Sequence, residues 1–335
     1  MSVRLRISIV TAAVLAAAWS TEAPMASVAG LPSTVAAAGR ESQAEATWSR
    51  TFKTGPNGAL ELWNLAGDVI VTGGSGDVME VRAVKRLHRE GRGSLDDIEI
   101  QATETAGRVR IRTEFPRRQN VSAEVEFRIT VPAATALSVQ TVSGDIQVGK
   151  VTGNTELESV SGDITVTGAR RLARAKSVSG TISVTDSAGD AFEAHSVSGD
   201  VELRGLKATS CSLQTVSGDV LAGNAACERA EMKAVSGDIV YSGSLAPGGR
   251  YDFKSHSGDV RLNVGEGTGF SLTASTFSGD LSSELKLANF LTSGGSKHGP
   301  RNKHLAGTYG DGSAQVTVTT FSGSIVLAGS KARER

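Results

Sequence analysis

The chain has 335 residues with 35 Lys+Arg against 35 Asp+Glu, a balance that lacks the basic footprint of nucleic-acid binders, so nucleic acid is not an expected partner. Its 39 glycines are roughly 12 % of the chain against an ordinary share of about 7 %. With 39 % apolar residues it is too hydrophobic for a disordered chain, which leaves a folded protein rich in turns.

The first 29 residues read as a secretory signal peptide. Arg4 and Arg6 precede an apolar run from Ile7 to Trp19, and Ser27-Val28-Ala29 offers a small-residue cleavage site. No later run approaches the ~20 apolar residues of a membrane-spanning helix, so no transmembrane segment is expected in the mature chain. No cysteine follows the apolar run to carry a lipid anchor. Residues 30–46 are an Ala/Ser-rich flexible lead, and residues 329–335 are a C-terminal tail.

Residues 47–135 form an irregular β-rich region. The phrase Asn64-Leu-Ala-Gly-Asp-Val-Ile-Val71 opens it, and alternating apolar runs follow at Met79 to Leu87, Ile98 to Ala102, Val109 to Phe115 and Val121 to Val131. Gly107 marks a hairpin turn and Pro132 closes the region.

From residue 136 to 328 one phrase recurs. It runs Val142-Ser-Gly-Asp-Ile146, Val160-Ser-Gly-Asp-Ile164, Val178-Ser-Gly-Thr-Ile182, and continues through the glycines at 199, 218, 237, 258 and 279 to Phe321-Ser-Gly-Ser-Ile325. The spacing is 18 to 21 residues, except for a gap of 44 between Gly279 and Gly323 that reads as two periods with one degenerate phrase. Apolar residues alternate at −7 and −5 before each glycine and at +2 and +4 after it, so each unit is two short strands. A coil of about 19 residues cannot bury its own apolar face; stacked at ~4.8 Å, such coils share an interior column. The fold class is therefore all-β, a β-solenoid preceded by the irregular β-rich region.

The Ser-Gly-Asp step has two readings. It is either a bend between strands, or it lies within one strand and turns the Val at −2 inward with the Gly, Ile and Val. The later coils gain Tyr251, Phe253, Phe270, Phe277 and Phe321, which predicts a wider C-terminal end.

The Gly-Asp-Val-Ile-Val phrase, the Ile-Thr-Val-Pro strand ending at Pro132, the iterated Val-Ser-Gly-Asp-Ile coils and the closing stretch with Val316, Val318 and Phe321 resemble the bacterial putative-adhesin family, a domain of unknown function. The resemblance spans roughly residues 47 to 328. It implies an exported β-solenoid of the cell envelope, in the periplasm or at the cell surface, tied in some members to attachment or envelope-stress sensing.

The recurring Asp145, Asp163, Asp200, Asp219, Asp238, Asp259 and Asp280 admit a calcium ladder or structural bonding within the turns. Thr181 and Ser324 interrupt the column without a carboxylate, and the Gly-Gly-x-Gly-x-Asp unit of calcium ladders is missing. His88, His195, His256, His298 and His304 are scattered, and no zinc, hydrolase or nucleotide-binding motif occurs. No enzyme activity, cofactor or metal is expected. Cys211 and Cys227, close to one coil apart, are candidates for a disulfide in an oxidising compartment.

The segment from Ser293 to His304 reads as a loop leaving the stack, where Lys297, Arg301 and Lys303 are candidate contacts for an anionic envelope polymer. The functional expectation is an exported, non-enzymatic, adhesin-like binding or structural protein whose partner is a component of the envelope. A solenoid carbohydrate-active enzyme and an envelope-stress sensor subunit are the alternatives.

Overall fold

A computed structural model describes residues 45–87, 94–115, 123–265, 267–293 and 302–329. Its architecture is all-β and solenoid-like: long strands before each Ser-Gly-Asp step form one lengthwise sheet, and short strands after it form the other. In the long-strand sheet Leu137–Val139 pairs in parallel with Thr155–Leu157, and Leu157 in turn with Ala175, Ala175 with Ala194, Ala194 with Leu213, Leu213 with Met232 and Met232 with Phe253. In the short-strand sheet Ile146, Ile164, Ile182, Val201, Val220, Ile239 and Val260 follow one another in the same way.

Burial follows the −7, −5, +2 and +4 positions, with one addition: Ser or Thr at −3 also points inward. Residue volumes compensate between neighbouring coils. Ala222 lies beside Tyr241, and Phe253 is followed two places along by Ala274, so the packed interior keeps its width. Of the C-terminal aromatics, Tyr251, Phe253 and Phe270 are buried, whereas Phe277 and Phe321 face solvent and do not widen the core.

The step itself is a bend. The Val at −2 is exposed in every one of the six coils that carry it, which excludes the reading that turned it inward. Gly144, Gly162, Gly180, Gly199, Gly218, Gly237 and Gly258 adopt φ between +137° and +155°. A Cβ on any of them would lie under 3.0 Å from the carbonyl oxygen of the corner glycine in the adjoining coil. Both the conformation and the close approach require glycine.

The stacking order departs from the chain order at both ends. Ala59–Ala66 is sandwiched between Arg108–Glu114 and Ala136–Ser143, and Val69–Gly74 between Ala123–Pro132 and Ile146–Gly149. The irregular region thus contributes two coils to the same stack. At the other end Ala314–Ser322 inserts between Arg250–Ser257 and Phe270–Ser278, and Ile325–Gly329 between Val260–Val264 and Leu281–Ser283. Among the described residues the 44-residue gap therefore holds no degenerate coil. It holds Ala288–Ser293 and Lys303–Tyr309, which pair antiparallel and continue the sheet beyond Phe270–Ser278.

Antiparallel strands cover the opposite end as well. Glu99–Thr105 lies against Arg108–Glu114, and Val78–Leu87 lies between Ala123–Pro132 and Glu45–Lys53. Such strands cover apolar faces that an open parallel stack would expose.

Because the last coil in sequence is the penultimate coil in space, ending the chain at residue 302 leaves a gap between two coils instead of trimming an outer one. The truncated protein is expected to lose its cooperative urea transition. A transition retaining most of the wild-type midpoint would contradict the inserted position.

Candidate binding groove

Three kinds of contact between coils hold the bends, though not every bend has all three: Thr141 and Ser159 leave their hydroxyls unpaired, Ala234 has none, and Asp200 N–H faces Thr181 in place of an aspartate. The N–H at +1 points towards the adjoining coil, where the aspartate Oδ1 accepts it: Asp163 N–H to Asp145, Thr181 to Asp163, Asp219 to Asp200, Asp238 to Asp219 and Asp259 to Asp238, all at 2.8–2.9 Å. Asp145 N–H reaches Asp68 in the same way, and Ser324 N–H reaches Asp259 at 2.7 Å. The glycine carbonyl of the adjoining coil accepts from the −3 hydroxyl, as from Ser177, Ser196 and Thr215 at 3.0–3.3 Å. Finally, the Gly and +2 N–H groups donate the other way, to carbonyls of the coil on the opposite side. The carboxylate column serves backbone amides, which is the turn-bonding alternative. Among the described residues no group of three or more His, Cys, Asp or Glu is gathered as metal ligands.

With −3 committed inward, the next residue must face out. The outcome is a lengthwise stripe in spatial order: Leu65, Val142, Val160, Val178, Val197, Val216, Val235, His256, Phe321, Phe277. Its apolar members are 40–50 % exposed. His256, Phe321 and Phe277 stack face to face, with centroids 5.0 and 4.9 Å apart, at about the coil rise.

A second outward column, at −4, runs beside the stripe as Trp63, Gln140, Glu158, Lys176, His195, Gln214, Lys233 and Lys254. Between the two columns lies a groove of about 830 Å³ with Thr141, Ser159, Ser177, Ser196 and Thr215 of the −3 column along its floor. It continues past Val235 into a cavity of about 540 Å³ around His256, Phe277, His304 and Phe321. At the other end the Arg112 guanidinium covers the Trp63 ring at 4.2 Å. Contiguous apolar surface of this extent marks interaction sites on soluble proteins.

Electrostatics in the −4 column favour neutral His195. Burial pushes its imidazole below the ordinary value of 6.5, the Lys176 charge adds to the shift, and Glu193 opposes it. Lys233 and Lys254 are held by Glu231 and Asp252 on their own strands, at 2.5 and 2.6 Å.

The other sequence-derived candidates lie elsewhere. Cys211 and Cys227 are buried and bonded to each other, with Cα atoms 6.3 Å apart. Cys211 pairs in register with Ala230 and Cys227 with Ala208, so the bridge runs diagonally between neighbouring coils. Lys303 starts a strand and binds the exposed Asp280 at 2.7 Å, which offsets its charge, while Lys297 and Arg301 lie outside the described residues. The exposed stripe was absent from the candidates, although its signal was present. Val recurs at −2 beside Ser or Thr at −3, and alternation counted from −5 turns −3 inward and −2 outward.

A family profile described as Toastrack DUF4097 matches residues 59–328. None of the curated proteins compared with the chain matches it. Similar solved structures include a putative adhesin from Bacteroides fragilis, at 13 % identity over 84 % of this chain and 97 % of that one, TM-score 0.42. A putative adhesin from Parabacteroides distasonis is 12 % identical over 84 % of this chain and 97 % of that one, TM-score 0.43. A putative lipid binding protein from the same organism is 12 % identical over 84 % and 96 %, TM-score 0.43.

Two measurements check the local chemistry. Asp219→Ala leaves the Asp238 N–H without its acceptor and is expected to cost about 1–3 kcal/mol by urea unfolding. Asp219→Asn, which keeps an amide oxygen, should cost less, and a calcium chelator should leave the midpoint in place. A chelator-sensitive midpoint would restore the calcium reading. Separately, below pH 6.5 the unfolded chain binds a proton that folded His195 resists, so its contribution is full above that pH and declines below it. His195→Gln should remove this part of the pH dependence.

Proposed function

The chain belongs to the Toastrack DUF4097 family, and we propose that it is an exported adhesin-like protein of the cell envelope that acts by binding along its length and not by catalysis. The observation that carries this reading is the groove. A stack of paired coils presents one lengthwise stripe, apolar except at His256, beside a polar column across the series of regular repeats. Rigid elements that hold an exposed apolar surface in place bind without ordering it first. The basic, apolar and small-residue order of residues 1–29 supports export. The bonded pair Cys211–Cys227 supports an oxidising destination, the periplasm or the cell surface. Among the described residues no helix is long and apolar enough to cross a membrane.

The local arrangement also bears on the enzymatic alternative. Carbohydrate cleavage by paired carboxylates requires two acids held about 5–9.5 Å apart around a bound sugar. The regularly placed aspartates from Asp145 to Asp259 each accept a backbone amide of a neighbouring coil, and Asp280 is paired with Lys303. The groove, in turn, is lined chiefly by Val, Gln, Ser, Thr and Lys.

Purified protein incubated with washed cell envelopes should co-sediment with them. Val178→Lys combined with Val197→Lys, both at exposed positions, should reduce the bound fraction by about tenfold or more with an unchanged unfolding midpoint. Equal binding by the double variant would overturn the groove as the contact surface.

A further inference from the structure

The groove has a repeat of its own, and that repeat limits what can lie along it. Its stripe presents one side chain per coil at ~4.8 Å steps over ten coils, a length of ~43 Å. An extended peptide advances ~3.3 Å per residue and an α-helix 5.4 Å per turn, so either loses register with the stripe within a few coils. A surface with the identical step over the identical length is the same stripe on a second copy of this chain. The stacked rings of His256, Phe321 and Phe277 keep the same step at one end, so the match extends past the valines.

We propose that two copies associate side by side through this stripe, about a two-fold axis running parallel to the stack. The proposal rests on the reading of the groove as a binding surface and gives it a second copy as occupant, so the dimer and the envelope contact compete for the same stripe. The area is sufficient. A strip ~43 Å long and ~15–20 Å wide, from the −4 column to the bend, gives about 650–850 Å² per copy, against about 800 Å² per partner in a stable standard-size complex.

The charges on the two flanks also match in part under this symmetry. On one side of the stripe the −4 column carries Lys176, Lys233 and Lys254 and one carboxylate, Glu158; on the other, the bends carry the aspartate column from Asp145 to Asp280, with Thr181 and Ser324 in two of its places. A two-fold axis along the stripe exchanges the flanks, so Lys233 and Lys254 of each copy meet Asp238 and Asp259 of the other, while Lys176 meets Thr181, between Asp163 and Asp200, and Glu158 meets Asp163. Lys233 and Lys254 have intrastrand partners in Glu231 and Asp252, but those pairs are partly exposed and worth little, so both lysines can be shared. The same symmetry sets each coil opposite its own copy, Val160 against Val160 and Val216 against Val216.

Sedimentation of the purified protein across a dilution series is the test, together with two single-cysteine variants. The wild type should be a dimer that dissociates on dilution. Val178→Lys with Val197→Lys should weaken the association on the order of 100-fold while leaving far-UV circular dichroism and the unfolding midpoint unchanged. Val160→Cys and Val216→Cys should each give a disulfide-linked dimer under mild oxidation, because the native cysteines are already bonded to each other.

A wild type that stays monomeric at roughly 100 µM, or a dimer unaffected by the double substitution, overturns the proposal. So does failure of Val160→Cys to cross-link while a Val160→Cys/His256→Cys pair does, since that places the copies antiparallel. If the wild type is monomeric and the double variant still loses envelope co-sedimentation, self-association is wrong and the groove reading stands. If the double variant is monomeric and yet co-sediments like wild type, self-association stands and the groove is not the envelope contact.

Discussion

The corner where one glycine lies against the carbonyl of another governs the rest of this structure. At the Ser-Gly steps from Gly144 to Gly258 the chain turns from the long-strand sheet into the short-strand sheet with the glycine at φ between +137° and +155°, close enough to its neighbour to leave no room for a Cβ. The turn reverses the direction of one amide, so the N–H at +1 has no place in the regular ladder. An unpaired amide there would cost about 1–3 kcal/mol. The aspartate of the adjoining coil supplies the missing acceptor, and the −3 hydroxyl occupies the glycine carbonyl. The outward Val follows from the inward hydroxyl. One backbone constraint thereby fixes the Gly, the Asp, the Ser or Thr, and the stripe that forms the groove.

Where the constraint is met differently, the stack ends. Gly67 lies against the Val125 carbonyl, and Asn64 replaces the hydroxyl, donating to the carbonyls of Gly67 and Val125 at 2.8 and 2.9 Å. Beyond that point comes one more parallel coil, Arg108–Glu114 with Ala123–Pro132, which lacks the phrase, and then the antiparallel strands. At the far end the Gly279 corner lies against Gly323, and Gly323 against Gly258, which records the inserted order of the last coils directly in backbone contacts. Insertion also ties the C-terminal end of the described chain into the stack, because Ala314–Ser322 cannot leave without breaking two interfaces.

The legible part of the sequence was whatever a single coil repeats. Leu157, Ile164 and Val166 announce their burial by alternation, and the 18- to 21-residue spacing announces the stack. The order of coils was not legible: parallel pairing between Phe253 and Val318 depends on a contact across 65 positions that no local pattern encodes. The direction of Val at −2 was ambiguous for another reason. Alternation counted forward from −5 turns it outward and counted back from +2 turns it inward, and the bend between them decides for the first. The Asp column was visible, and its role depended on where its neighbour's amide points.

The corner is tested most directly by Gly199→Ala, with the exposed neighbour Ser198→Ala as control. The added methyl meets the Gly180 carbonyl and disfavours the observed φ of +148°, so a loss of roughly 2–6 kcal/mol is expected by urea unfolding. Ser198→Ala should change stability by no more than about 0.5 kcal/mol. A Gly199→Ala protein within about 0.5 kcal/mol of wild type would contradict the claim that glycine-to-glycine stacking sets the fold.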